Sequence, residues 1–391
     1  MRYSKVKLFV LIITLVMGNY FCAQIGMGQW RLHVASGQSI DLAVVDNTIF
    51  TAFVNGIHVY NSETEEEELL TDINGLSDIN ISCIHYDAIS NAVLVGYENG
   101  NIDKITSDNI YNIPAIKLAE VPNSKRINRF ERSGDFVYVA TDFCIVKLDL
   151  MKDEIKDTYY PTGGNDALLD LSFSEDTIFA LTPRILKFGL LSNPALPDES
   201  QWQVDSRLPI LTQNTYAEIE RFQDKQFVLF KQDQYGMDSV YFLNEGESSL
   251  LTNSPYSLEI NSINILNDTS FAVNLDGGIF IYGESLENPQ SYTSANMFTW
   301  ISPLRTVRNE QGIWSADRTK GLFLFPSEVS YKRHTITGPY NNDFYAMDWQ
   351  SEKLAIASGR LSGKLPSFST NGIHIFENEE WTFHNISNVE A

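Results

Sequence analysis

Cysteine is nearly absent, at three residues in 391. Only Cys83 and Cys144 follow the first two dozen residues, which excludes a disulfide framework and reads as two small buried hydrophobes. Cations are scarce as well: 28 Lys and Arg face 50 Asp and Glu, for a net charge of −22. Such a chain is repelled by phosphate backbones, so a nucleic-acid binder is excluded. Long apolar runs are missing too. The one at Leu8 to Met17 falls short of the roughly 18 residues of a membrane-spanning helix, which excludes a transmembrane span. No stretch keeps a 3.6-residue apolar period, so no helical domain is expected.

Apolar residues make up 43% of the chain and aromatics 12%, enough for a large core and weighted toward β-structure. Arg2, Lys5 and Lys7 precede the Leu8 to Met17 run, and Cys22-Ala23 follows it. This order is that of a secretory signal over residues 1–23, which makes the protein exported, to the periplasm or the outer-membrane surface. Cys22 raises a lipoprotein reading, against which Asn19-Tyr20-Phe21 speaks.

The body is a repeat. Alternating apolar runs meet at a tight turn in Ile49 to Tyr60, with Asn55-Gly56 at its centre, and in Val93 to Ile102, with Asn99-Gly100. The turn residues Gly56, Gly100, Cys144, Ile185, Gly236, Gly278, Gly321 and Gly372 recur at intervals of about 40–50 residues. Period-2 alternation with Asn-Gly or Gly-Gly between two runs marks hairpins, and several strands per repeat of this length mark an all-β propeller. The spacing predicts about seven four-stranded blades over residues 40–328 plus an extra blade over 340–391. That blade is expected to be the start of a truncated second propeller. The alternative is one eight-bladed ring. Residues 24–39 are expected to supply an N-terminal strand that closes another ring, since Trp30-Arg31-Leu32-His33 resembles Trp381-Thr382-Phe383-His384.

The segments Asn74 to Ser82, Val95 to Asp103, Asn112 to Lys117, Ser124 to Asn128 and Ala140 to Val146 resemble the N-terminal propeller of the PorZ family. That family belongs to the type IX secretion system of Bacteroidetes. The resemblance covers residues 28 to about 160 by motif and the rest by spacing. Cys144 stands where the family usually has Gly, which requires a turn that does not need a positive φ. The resemblance implies a non-catalytic scaffold in cargo maturation and attachment at the outer-membrane surface. Its implied partners are a sortase-like protein and outer-membrane barrel proteins, and anionic lipopolysaccharide in full-length relatives. Two other readings stay open: an extracellular sensor propeller of two-component-regulator type, and a secreted glycan-active enzyme.

Chemistry-bearing motifs point to no catalytic, cofactor or metal residues. The histidines, His33, His58, His85, His334, His374 and His384, form no zinc spacing, and no Gly-x-Ser-x-Gly elbow is present. His58 and His374 occupy equivalent positions after a hairpin glycine, as a repeat feature would. Gly359 to Leu365 imitates a phosphate loop but is one residue short, and Gly26-Met27-Gly28 follows no strand. Asn99, Asn101 and Asp103 have calcium-like spacing, read here as hairpin chemistry. Asp170, Glu218, Glu220 and Asp348 fall on expected inner strands, where a propeller channel gathers carboxylates. A glycosidase would need two of them about 5–10 Å apart. The run Glu63 to Glu68 reads as a solvated loop.

Overall fold

The computed structural model describes residues 32–35, 38–253, 258–334, 338–341, 344–362, 365–367 and 372–385. The chain divides into two compact units, Met1–His33 and Val34–Ala391. The signal segment 1–23 with Cys22, the Gly26-Met27-Gly28 motif, Trp30-Arg31 and Gly363-Lys364 lie outside the described residues. Among those described, no helix is long and apolar enough to cross a membrane.

Eight four-stranded antiparallel sheets follow one another along the second unit, and a two-stranded hairpin is inserted in the eighth. Blade 1 is typical of them, with strands Ser39–Val45, Thr48–Phe53, Gly56–Asn61 and Glu67–Leu70. In the first seven sheets the second strand is mostly buried, completely so in Ala92–Tyr97, because it is covered on both faces by neighbouring blades; in the eighth, Lys353–Ser358 is largely exposed. Outer strands are polar, as in Glu154–Tyr159.

The innermost strands of the first seven sheets are Ser39–Val45, Ile81–Asp87, Ile127–Ser133, Asp170–Ser174, Thr215–Phe222, Ile260–Asn267 and Pro303–Asn309. Each packs on the next, and the seventh packs back on the first. The fold is therefore an all-β propeller whose ring closes at seven blades, with the eighth sheet outside it. In that sheet the innermost strand Phe344–Gln350 is exposed along its whole length. Asp348 accordingly belongs to the eighth sheet and is absent from the ring's channel.

One local device recurs. Six of the seven ring strands carry a β-bulge near their start, at Ile40, Ser82, Asn128, Ala217, Asn261 and Leu304. A bulge interrupts pairing within the blade and turns side chains toward the next one. Ser82 Oγ donates to the Ile127 carbonyl (2.7 Å), Asn128 Nδ2 to the Leu168 carbonyl (3.0 Å) and Asn261 Nδ2 to the Pro303 carbonyl (2.9 Å). Blade-to-blade joints are thus hydrogen-bonded as well as apolar.

Every blade uses consecutive strands, so no strand is exchanged where blade 7 meets blade 1. That seam is closed by apolar packing of Leu42, Ile49 and Tyr60 against Trp314, Leu322 and Leu324, and by Ser39 Oγ donating to the Asp317 carbonyl at 2.7 Å. The turn at Cys144 has no positive φ, which is why cysteine is accommodated there.

Candidate functional site: the axial cavity

A cavity of about 800 Å³ runs along the ring axis and is lined by all seven innermost strands. Period-2 alternation fixes which side chains reach it. Glu220 is among them, together with Asp41, Glu131, Arg129 and Arg305, whereas Asp170 and Glu218 are not lining residues but pair with Arg129 and Arg305.

Two arginines organise the carboxylates. Arg129 pairs with Glu220 and lies 3.5 Å from Asp170 Oδ1. Arg305 pairs with Glu218 and lies 3.5 Å from Asp41 Oδ1. The other oxygens of three carboxylates grip the backbone of the adjoining blade. Asp41 Oδ2 accepts from the Ile84 N–H at 2.8 Å, Asp170 Oδ2 from Ile219 at 2.9 Å, and Glu218 Oε2 from Ile263 at 2.7 Å. Asn264 Oδ1 does the same for Thr306, at 2.8 Å. These groups therefore hold blades together, and Asp41 and Asn264 also line the cavity.

Burial sets the protonation of the cluster. It pushes Glu220 up to about 8, Glu131 to about 7 and Asp170 to about 6, with Arg129 pulling each back down. Arg129 is held fully charged, because Glu220 and Asp170 outweigh its own desolvation. His85 is depressed to about 4, first by burial and then by Arg129. At neutral pH the cavity thus keeps both guanidiniums, and burial favours the protonated form most at Glu220 and least at Asp170.

The arginines were missed in the sequence. Their signal is a charged residue inside an alternating strand, as in Ile127-Asn128-Arg129-Phe130. Among the described residues no group of three His, Cys, Asp or Glu is arranged to hold a metal. The Asn99-Asn101-Asp103 oxygens turn inward. Asp103 accepts from the Ser77 N–H (2.7 Å) and the Tyr97 hydroxyl (2.6 Å), and Asn101 Nδ2 donates to Asp78 (2.8 Å). His58 and His374 are both fully buried at matching places in their sheets. Of the acidic run, Glu63 to Glu66 form the turn, and Glu67 and Glu68 begin the outer strand. Both cysteines are buried thiols, pushed up to about 12 by burial.

A second feature lies on the face carrying the second-to-third-strand turns and the blade-to-blade loops. Tyr235, Met237, Phe298 and Trp300 are exposed there, Phe298 almost completely at 97%. Trp300 stands 3.7 Å from where a side chain on Gly277 would project, and Lys320 Nζ donates to the Trp300 carbonyl at 2.7 Å. Tyr235 and Met237 belong to the turn of blade 5, while Phe298 and Trp300 lie in the loop from blade 6 to blade 7, with Trp300 beside Gly277 of blade 6 and Lys320 of blade 7.

Fold and cavity define a seven-bladed β-propeller with an ion-paired axis. Residues 49–203 match the family model described as the TSS9, PorZ, N-terminal beta-propeller domain. The chain is a β-propeller protein, similar over those residues to the PorZ N-terminal domain. Among solved structures, PorZ of Porphyromonas gingivalis, described as an essential bacterial surface component of the type-IX secretion system, aligns with a TM-score of 0.71 and 21% identity. The alignment covers 93% of this chain and 47% of that one, so the chain spans about half the length of that relative. The WD40 repeats of RRP9 align at 0.54 and 13% identity, over 74% of this chain and 89% of theirs. The WD40 propeller of Doa1 aligns at 0.52 and 10%, over 74% and 93%. No curated protein matches.

Proposed function

We propose that this protein is a non-catalytic component of the type IX secretion machinery, exported to the outer-membrane surface and acting there as a scaffold in cargo maturation and attachment. The match of residues 49–203 to the PorZ N-terminal propeller carries this reading. Two features of the ring support it. Asp41, Asp170 and Glu218 are engaged in holding adjacent blades, which leaves them ill placed for turnover. Loops projecting from a rigid ring suit docking, and Phe298 and Trp300 offer an apolar anchor to a protein of the outer-membrane attachment complex.

By the same reading, the eighth sheet is the first blade of a further ring. A propeller blade needs a neighbour on each face, and Phe344, Met347 and Trp349 are exposed here.

The test is deletion of the gene, followed by mass spectrometry of medium, surface and periplasmic fractions. Cargo retained in the periplasm with uncleaved C-terminal domains supports the proposal. Normal cargo export overturns it and leaves the sensor reading.

A further inference from the structure

The ring's weakest polar accounting is confined to one joint. Among the described residues, the ring's buried side-chain polar atoms without a partner are Thr51 Oγ1, Asn55 Oδ1, His58 Nε2, Asn309 Nδ2 and His334 Nε2. All five belong to blades 1 and 7. Buried polar atoms are normally satisfied, so their gathering at one place calls for a reason.

That place is the seam, where the ring closes without strand exchange. Every other joint is also bridged by the chain running from blade to blade; this one is not. Its centre is aromatic. The His334 ring lies 4.4 Å from Tyr60 and 5.2 Å from Trp314, and Tyr60 lies 5.9 Å from Trp314. His58 is 1% exposed and His334 7%. The seam's polar links are Ser39 Oγ to the Asp317 and Gly321 carbonyls, Gln311 Nε2 to the Ser62 carbonyl (3.0 Å), Lys332 opposite Glu65 at 3.7 Å and, at its axial end, Arg305 3.5 Å from Asp41 Oδ1; none of them reaches the two histidines.

We propose that this seam is an acid-released latch: protonation of His58 and His334 parts blade 7 from blade 1 and opens the ring there.

The groups facing the two histidines favour this outcome. His58 meets Thr51 across its own sheet, and His334 adds a repulsive charge from blade 7. Glu67 approaches His58 Nε2 only to 3.5 Å and is 45% exposed, so it compensates poorly. His334 faces Tyr60, exposed Lys332, which disfavours its protonation, and Glu65, which opposes Lys332 more weakly. Burial, reinforced by these neighbours, lowers both imidazoles to about 4.

The sign follows directly. The closed seam holds fewer protons than the open one, where both imidazoles return to about 6.5. Closure is therefore fully favoured above pH 6.5 and is lost progressively as pH falls toward 4. At pH 5 each histidine shifts the equilibrium toward opening by about 30-fold.

The test places nitroxide pairs on cysteines introduced into the full chain. One pair, at Glu63 and Gln311, spans the seam; a control pair, at Asp135 and Glu175, spans the joint between blades 3 and 4. Cys83 and Cys144 are buried and escape labelling. The expected result is dipolar broadening across the seam at pH 7.5 that is lost between pH 6.5 and 4 while the control pair keeps its broadening. Replacing both histidines (His58→Phe with His334→Phe) should move the transition below pH 4. His85→Gln, which alters an equally depressed histidine away from the seam, should leave the midpoint in place. Broadening retained across the seam at pH 4.5, or lost from both pairs together, overturns the latch. So does a midpoint that moves as far in His85→Gln. These readouts on the native histidines decide the matter even where the double variant fails to fold.

Discussion

The axial cavity and the seam both bury ionisable side chains, and they respond to the same desolvation in opposite ways. In the cavity the buried groups are carboxyls arranged around Arg129 and Arg305, and burial makes them hold protons. At the seam they are imidazoles, and burial makes them shed protons. Acid therefore stabilises the carboxyl cluster of the cavity, with His85 acting against it, and loosens the seam. The cavity also pairs its charges and anchors them to neighbouring backbones, whereas the two blades that meet at the seam hold five buried polar atoms without a hydrogen-bond partner, among them both histidine Nε2 atoms. A ring can thus be rigid about its axis and still have one joint sensitive to its surroundings.

The largest effect expected on this contrast comes from Arg129→Met. It strands Glu220 and Asp170 without their cation, and removing one partner of a buried ion pair costs about 3–5 kcal/mol. Urea unfolding at pH 7.5 should register that loss, and a change below 1 kcal/mol would mean that solvent, and not Arg129, carries the carboxylates. Next comes Glu131→Gln. The folded carboxyl titrates near 7, above its ordinary 4.5, so its contribution is fully present below pH 4.5 and is lost as pH rises through 7. The amide should therefore raise stability at pH 8 by about 1 kcal/mol relative to its effect at pH 5, the full shift being reduced by water in the cavity. A pH-independent difference would remove the cavity from the comparison. The smallest effect belongs to Ser39→Ala, which deletes one neutral hydrogen bond across the seam at a cost of about 1 kcal/mol. It should raise the pH at which the seam parts; an unchanged pH would mean that Ser39 does not contribute to closure.

Much of the ring was readable before any coordinates. Gly100 takes the positive φ that its hairpin suggested, whereas Gly56 opens its strand with an ordinary φ and is needed because a Cβ there would meet the Leu70 carbonyl at 2.8 Å; the repeat interval announces the blades. Asp170, Glu218 and Glu220 were expected on inner strands and lie there, Glu220 lining the axial cavity. Asp348 obeyed the same alternation but in the sheet outside the ring, because strand pattern says nothing about which ring a blade joins. The bulges at Ser82 and Asn128 left no trace, since a single extra residue does not disturb a short alternating run. The meeting of His58 with His334 depends on the last blade returning to the first, a contact across 276 positions that no local pattern encodes.

Docking to the secretion machinery is tested most directly by photo-crosslinking in cells at two positions. Phe298 lies on the apolar face, and Glu175 lies in a first-to-second-strand turn on the opposite face. The account predicts that a crosslinker at Phe298 captures an outer-membrane component of the type IX machinery and that one at Glu175 does not. Capture from Glu175 alone, or from neither position, would contradict it.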